Sequence, residues 1–583
     1  MTSFQALVLL LMTPLVPFAL ALAVLRWRAS RALQTAAALA ALPALVTSAL
    51  MPAGIASTLP WLLAGSEVGL DATGRPFLFF SAAIWLAAGL HARQSIEGAK
   101  RSRFFVPFLL VMSGNLGLII ARDILAFYLF FVLMSFAAYG LVVHDASDEA
   151  RRAGRIYMIL VVAGDMMLFA ALVLAALEAE GALLFEIVRQ TTAASAYRDA
   201  IIALVVAGFG VKAGVIGLHV TLPLVYRAAP TPAAAALAGA MINAGLLGWL
   251  RFLPFGAELS AWGALLIAAG AAAVFYAALV GVTQRDAASV LAYSSVSQMG
   301  IMTAGAGAAL AAAEHSAAII AAVTVYAMHH AFAKSALFLG TGLAARPARG
   351  RRSAMALRTG LLLPALALAG APLTSGMLAK EHLKESLGAA AAPAIQTLAT
   401  LLPWTAFATT LILARFLWIV WPRDAPAATA PGPTLRRTLP WMMLLLLTAA
   451  GVWVWPLENP PRLYAAAVFW ETMWPVILGA SVAAAFGRAA ASQKMPTPRI
   501  PAGDIVVIAE RVARRAAAAW QRAAYGGLPT VRDALRRALG SSSAGRRWSR
   551  FAIGAETLLG QWRVALPIFI ATAVALIAAA MWS

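Results

Sequence analysis

Apolar stretches of about twenty residues alternate with short polar ones along nearly the whole chain. They predict helices near 4–25, 33–50, 75–92, 104–121, 124–143, 156–177, 200–226, 229–250, 261–282, 290–311, 316–342, 358–389, 398–421, 438–456, 463–487 and 561–582. At about 1.5 Å per residue, each can cross a hydrocarbon layer of roughly 30 Å. The expected fold class is all-α and polytopic. The first run, MTSFQALVLLLMTPLVPFALALAVLRWRAS, has no basic residue ahead of its apolar core, and Arg26, Arg28 and Arg31 follow it. This fits a retained helix better than a cleaved signal peptide, and puts the N-terminus outside the cell's inner membrane. Every second loop should then be basic. Arg93, Lys100, Arg101 and Arg103, then Arg151, Arg152 and Arg155, then Arg346, Arg349, Arg351 and Arg352, then Arg436 and Arg437 fall on the expected inner side. Glu67 and Asp71, then Glu178, Glu180 and Glu186, then Glu314 fall on the outer side.

Three stretches break the pattern. Residues 422–437 and 489–502 are proline-punctuated linkers. Residues 503–550 are basic and amphipathic: Ile505, Ile508, Ala509, Val512, Ala516 and Ala519 recur at helical spacing, with Arg511, Arg514, Arg515 and Arg522 elsewhere around the helix. Such a segment lies on the membrane lipid surface or on a partner.

Composition narrows the class. Of 583 residues, 62% are hydrophobic and 12% charged, which excludes an ordinary soluble enzyme. The 45 Lys and Arg against 24 Asp and Glu leave a net charge of +21, which the apolar majority assigns to a membrane setting and not to nucleic acid. With no cysteine there is no disulfide, thiolate metal site or Cys-held iron–sulfur cluster. The sequence offers no GxxxxGK[ST], credible dinucleotide fingerprint or HExxH, so no cofactor, metal or redox centre is expected here, and any driving force must come from elsewhere.

Charged groups within the spans therefore stand out, because each costs about 2.5 kcal/mol or more in hydrocarbon. Lys212 lies in GFGVKAGVIGLHVTLPLVYRAAPTP, with His219 seven residues on and so near the same face of a continuous helix; Asp165 lies in LVVAGDMMLFAALV. His330 and Lys334 share a face in YAMHHAFAKSALFLGTG, extended by Tyr326. Lys380 ends LALAGAPLTSGMLAKEHLKE, where Gly370, Pro372 and Gly376 interrupt a helix at depth. Helices broken in this way are tolerated where they line a hydrated cavity or are buried in protein. Lysines with burial-lowered proton affinity, joined by histidine, make a proton wire. The structural alternatives are a lysine snorkelling to the headgroups, histidines bonded to backbone carbonyls, and Asp165 as fixed partner of one lysine.

GFGVKAGVIGLHVTLPLVYRAAPTPAAA, QRDAASVLAYSSVSQMG, MHHAFAKSALFLGTG and LALAGAPLTSGMLAKEHL together resemble the antiporter-like membrane subunits of respiratory complex I, Mrp-type cation/proton antiporters and membrane-bound hydrogenases, over roughly residues 60–420. The resemblance implies about fourteen core helices as two inverted five-helix repeats, with the seventh and twelfth helices broken. In that scheme 1–103 are N-terminal spans, 104–250 and 261–421 the two half-channels, 438–487 further spans, 503–550 the surface segment and 561–582 the last span. It implies Lys212, His330, Lys334 and Lys380 as relay groups and Asp165 as a modulator. It further implies partner membrane subunits that supply the drive, and protons or sodium as the ion.

One position departs. Where the family carries a fifth-helix glutamate paired with the seventh-helix lysine, FYLFFVLMSFAAY has Val132. The expected function is proton translocation within a larger complex, coupled to electron transfer in its partners. The alternatives are a cation/proton antiporter or inorganic-carbon uptake subunit, and a scaffold without conduction.

Overall fold

The computed structural model describes residues 3–516 apart from 28–29, 64, 99, 346–349, 422–434, 458–460, 462, 464–465, 492–499, 509 and 513–514. Two compact units are present, Met1–Asp504 and Ile505–Ser583. Residues 505–508, 510–512 and 515–516 of the second unit are helical. The remainder of the amphipathic segment 503–550 and the expected span 561–582 lie outside the described residues.

Within the first unit, each of the first fifteen predicted helices is matched by helical structure. Eleven helices among the described residues are long and apolar enough to cross a membrane. The difference comes from two interruptions, from one polar core helix, and from the helix of predicted span 438–456, which runs only from Leu435 to Gly451. Arg198–Ala213 and Thr221–Ala228 are halves of one predicted span, and Gly350–Ala369 and Ser375–Gly388 are halves of another. Ala287–Ala311 is long but carries Ser294, Ser295, Ser297 and Gln298, and nearly all its residues are buried. That burial fits a helix enclosed by other helices on every side.

Helix 287–311 packs hardest on Ser260–Gly281 through small residues. A β-carbon on Gly263 would lie 2.6 Å from the Gly307 carbonyl oxygen, and one on Gly300 would lie 2.6 Å from that of Gly270. Backbone lies on backbone here, the way helices associate where apolar burial gives no net drive.

Both interruptions have local causes. The first follows Gly214, whose left-handed φ of 73° caps the first half, and continues through Gly217 at φ 88°. The second follows Gly370 at φ 81°, passes Pro372, and ends at Thr374, whose hydroxyl caps the resumed helix at Met377 N. A proline and two left-handed residues in the gap, Gly370 and Leu373, leave no route for the i→i−4 ladder.

One element escaped the helical pattern: an antiparallel hairpin, Ile55–Leu59 with Ser66–Leu70. Asp123 ties it to the bundle, accepting from Ser66 Oγ at 2.6 Å and Glu67 N at 3.0 Å while also capping the Ile124–Val142 helix. Next to the hairpin, Asp71 is clamped by Arg251, which is nearly buried, and by Arg122 at 2.6 Å. Burial opposes ionisation of Asp71, but the two guanidiniums and the Gly74 N–H outweigh it and hold the carboxyl well below the usual carboxylate range. The clamp is therefore complete above the ordinary carboxylate pKa of about 3.9 and is lost only as pH falls through the depressed folded value. Asp71→Asn should leave Arg251 buried without its counter-charge, costing roughly 2–4 kcal/mol and lowering the melting temperature in detergent at pH 7. An unchanged melting curve would show the clamp to be ornamental.

Candidate functional site

Every ionisable residue singled out in the sequence is enclosed by protein. Lys212 and Lys380 are each 6% exposed, Asp165 3%, and His330 and Lys334 are fully buried. Snorkelling to a headgroup layer is therefore not the arrangement at any of the three lysines.

The first cluster gathers at the first broken helix. Lys212 is the penultimate residue of Arg198–Ala213, and the turn at Gly214 ends the helix just beyond it. Its Nζ donates to Tyr157 Oη at 3.1 Å and lies 5.6 Å from the Phe131 ring centre. Tyr157 Oη in turn donates to the Ser135 carbonyl at 2.8 Å. Asp165, two turns along Asp148–Glu178 from Tyr157, interacts electrostatically with Lys212 but forms no ion pair with it among the described residues. Val132, on the neighbouring Ile124–Val142 helix, is half-buried. Tyr157 thus accepts the hydrogen bond that Lys212 was expected to give to a carboxylate. Sequence reasoning missed it, because one tyrosine in an apolar helix carries no signal until the fold puts it against Lys212. The seven-residue spacing of Lys212 and His219 presumes a continuous helix, and the break between them cancels that shared face.

The second cluster centres on Ser316–Ala344 and the second broken helix. Lys334 Nζ donates to the Leu291 carbonyl at 3.0 Å. His329 Nδ1 bonds Ser375 Oγ at 3.0 Å, and Lys380 Nζ donates to the Ala369 carbonyl at 3.0 Å, at the mouth of the break. His329, His330 and Lys334 follow one another on one helix, and His329 reaches through Ser375 to the half-helix that carries Lys380, so these four groups form one chain of neighbours. From Lys380 the chain continues through buried Glu381 to Lys384, 3.9 Å from Glu381, and on to Glu471, which pairs with Lys384. In the sequence Glu381 is only one of several charges at a helix end, whereas its side chain is almost wholly enclosed.

Helix 231–252 lies against both clusters. A β-carbon on Gly245 would meet Ala213 N at 2.7 Å, next to Lys212. One on Gly239 would meet the Ala331 carbonyl at 2.8 Å, next to His330. Gly239 is the central residue of a π-helical turn, Leu237–Met241, and Asn243 just beyond it donates from Nδ2 to the Gly239 carbonyl at 2.7 Å. A π turn loosens the backbone ladder, and such turns occur mostly where a helix has work beyond packing.

Several polar atoms on the helices of the two clusters and on the neighbouring helix 287–311 are buried without a hydrogen-bond partner among the described residues: Asp165 Oδ2, Asn243 Oδ1, Ser294 Oγ, Ser297 Oγ, His329 Nε2 and both ring nitrogens of His330. Each such atom costs about 1–3 kcal/mol if left dry, so a row of them is not built for stability. Together with lysines that donate to neutral acceptors, the arrangement can take up, hold and release protons deep within the bundle.

Residues 121–402 match the family described as NADH:quinone oxidoreductase/Mrp antiporter, TM. A Staphylococcus haemolyticus (strain JCSC1435) protein named as antiporter subunit mnhA2 is 27% identical over 356 residues, 56% of this chain and 44% of that protein. Hydrogenase-4 component B of Escherichia coli (strain K12) is 28% identical over 256 residues, 42% of this chain and 38% of that protein. The chain thus spans less than half the length of these relatives. A chain in the structure of the Mrp complex from Dietzia sp. DQ12-45-1b shares the fold, with a TM-score of 0.73 at 20% identity, over 95% of this chain and 62% of that one.

Proposed function

We propose, for a multi-pass membrane protein whose residues 121–402 belong to the NADH:quinone oxidoreductase/Mrp antiporter transmembrane family, that it conducts protons as one subunit of a larger membrane complex. One observation carries the reading: Lys212, Lys334 and Lys380 are buried at or between two broken helices, with neutral hydrogen-bond acceptors and unpartnered polar atoms along the way. A lysine bonded to a carbonyl or phenol, and not locked to a carboxylate, can lose its proton at modest cost. His330 beside Lys334 can then accept and pass it on. Asp165 modulates Lys212 through space, and Glu381, Lys384 and Glu471 lead from Lys380 toward the bundle end. The two broken helices mark two half-channels in inverted repeats, with the N-terminus outside the bacterial inner membrane.

Partner subunits supply the drive. Electron transfer in those partners is our primary reading, and likeness to a hydrogenase component supports it. Cation/proton exchange is the second reading, supported by the wider match to an antiporter subunit. Vesicles carrying the purified complex and a pH-sensitive dye test conduction and separate the two. Flux started by an electron donor and indifferent to sodium supports the first, and flux requiring a sodium gradient supports the second. A complex that moves no protons under either drive would reject conduction.

Val132 gives a sharper test of whether the first half conducts. Val132→Glu puts a carboxylate on the helix that faces Lys212. In a working path it should bind the lysine as an ion pair and slow the flux about tenfold, equivalent to about 1.4 kcal/mol on the barrier. If proton flux appears only in Val132→Glu, the natural chain is an inert scaffold.

A further inference from the structure

The segment that follows the helix Ala466–Ala491 returns to the bundle and carries a carboxylate. Gln284 Nε2 donates to the Ile500 carbonyl at 3.0 Å, and Gly503, at φ 79°, turns the chain against Leu224. Asp504 is then 5% exposed. Its Oδ2 accepts from the phenol of Tyr276 and from Tyr293 Oη at 3.2 Å, and lies 3.5 Å from Nε2 of the fully buried His219, within the first break. Tyr276 and Tyr293 are five and six residues from the facing ends of their helices, so the carboxylate reaches about 8–9 Å into the bundle.

An apolar residue would secure this segment at less cost, since a buried carboxylate needs donors to offset lost hydration. Two phenols donate to it here, and an imidazole stands 3.5 Å away. The imidazole is also held in one tautomer: Gly217 N–H donates to Nδ1 at 3.3 Å, which leaves the proton on Nε2, facing Asp504. On the other side of Ala287–Ala311, two residues before Tyr293, the Leu291 carbonyl holds Lys334. The cluster therefore lies between the first broken helix and the central lysine.

We propose that Asp504 is a proton-relay group working with His219, supplied to the first broken helix by the segment that follows Ala466–Ala491. The inference rests on the proton-conducting reading above and adds to it the Asp504 carboxylate. In the transfer step, a proton reaches Nδ1 of His219, displacing the weak Gly217 bond, as the Nε2 proton passes to Asp504 Oδ2. The products are a neutral imidazole protonated on Nδ1 and a carboxylic acid. Release from Asp504 past half-exposed Tyr276, and return of the imidazole proton to Nε2, restore the starting state.

The test compares Asp504→Asn, Asp504→Glu, His219→Gln and Lys334→Ala in vesicles carrying the assembled complex, with flux scored per folded molecule so that a lower yield decides nothing. Asparagine keeps an acceptor for both tyrosines but cannot carry the proton, so flux should fall roughly 10²-fold, the usual contribution of a positioned acid or base. Asp504→Glu should recover much of it, and combining Asp504→Asn with His219→Gln should lose no more than either change alone. Wild-type flux in Asp504→Asn, with Lys334→Ala inactive, would overturn the Asp504 assignment and leave proton conduction standing. Equal loss in the Asn and Glu variants would make Asp504 a structural latch and also overturn it. Wild-type flux in Lys334→Ala would reject the underlying relay itself.

Discussion

Lys334→Ala should abolish coupled proton movement while the protein still folds and assembles. The ammonium is fully buried, and its one hydrogen bond among the described residues goes to the Leu291 carbonyl. That carbonyl also accepts from Ser295 Oγ at 3.1 Å, so removing the lysine does not strand it. A buried cation without a counter-charge contributes little stability, and replacing it costs chiefly the packing of its methylenes. The expected melting temperature is thus close to that of the natural protein, whereas flux through a serial path should drop by roughly 10²-fold or more. Lys334→Arg makes the prediction specific to proton transfer. Arginine keeps the charge at this position but does not release its proton in proteins, so flux should be lost there too. Lys334→Met, close in shape, should melt no lower than Lys334→Ala and conduct no better. Dye-detected flux and thermal unfolding in detergent, measured on the same preparations, check all three. Flux retained by the arginine variant would mean that Lys334 acts only as a fixed charge.

How far the sequence revealed this arrangement depended on whether each signal was local. Spans were legible because a stretch of about twenty apolar residues marks itself, and the second break was legible because Gly370 and Pro372 interrupt a helix wherever they stand. Lysines in such stretches mark themselves as well, but only the fold shows that Lys380 is enclosed and not reaching for the headgroups, since Glu381, His382 and Lys384 beside it mimic a helix end at the surface. Tyr157 and Asp504 left no local trace. Each meets a residue more than fifty positions away, Lys212 for the first and His219 for the second. The hairpin at 55–70 was missed because each strand has five residues, too few for an alternating pattern to stand out from a loop.

Gly376→Ala, the addition of a single methyl group, should damage both stability and conduction. Gly376 is the second residue of the resumed half-helix Ser375–Gly388, and a β-carbon there would collide with the Ala367 carbonyl oxygen on the other half. It would also lie 2.8 Å from the Ala367 carbonyl carbon and 3.1 Å from the His329 ring. A flexible side chain could step aside, but a backbone carbonyl in the last turn of a helix cannot. Relief therefore requires the two halves to separate. Overpacking of this kind typically costs about 1–3 kcal/mol, and a rigid obstacle places this site at the upper end. Separation would also pull Ser375 from His329 and draw Lys380 away from the Ala369 carbonyl, loosening the second cluster at two of its three anchored points. Gly388, at the far end of the same half-helix, is the control: a β-carbon there meets nothing within 4 Å, and alanine is the better helix former. Gly388→Ala should melt at or slightly above the natural protein and conduct normally, whereas Gly376→Ala should melt several degrees lower and conduct at least tenfold less per folded molecule, about 1.4 kcal/mol or more on the barrier. If the two variants melt and conduct alike, contact between the half-helices does not hold the second break in place.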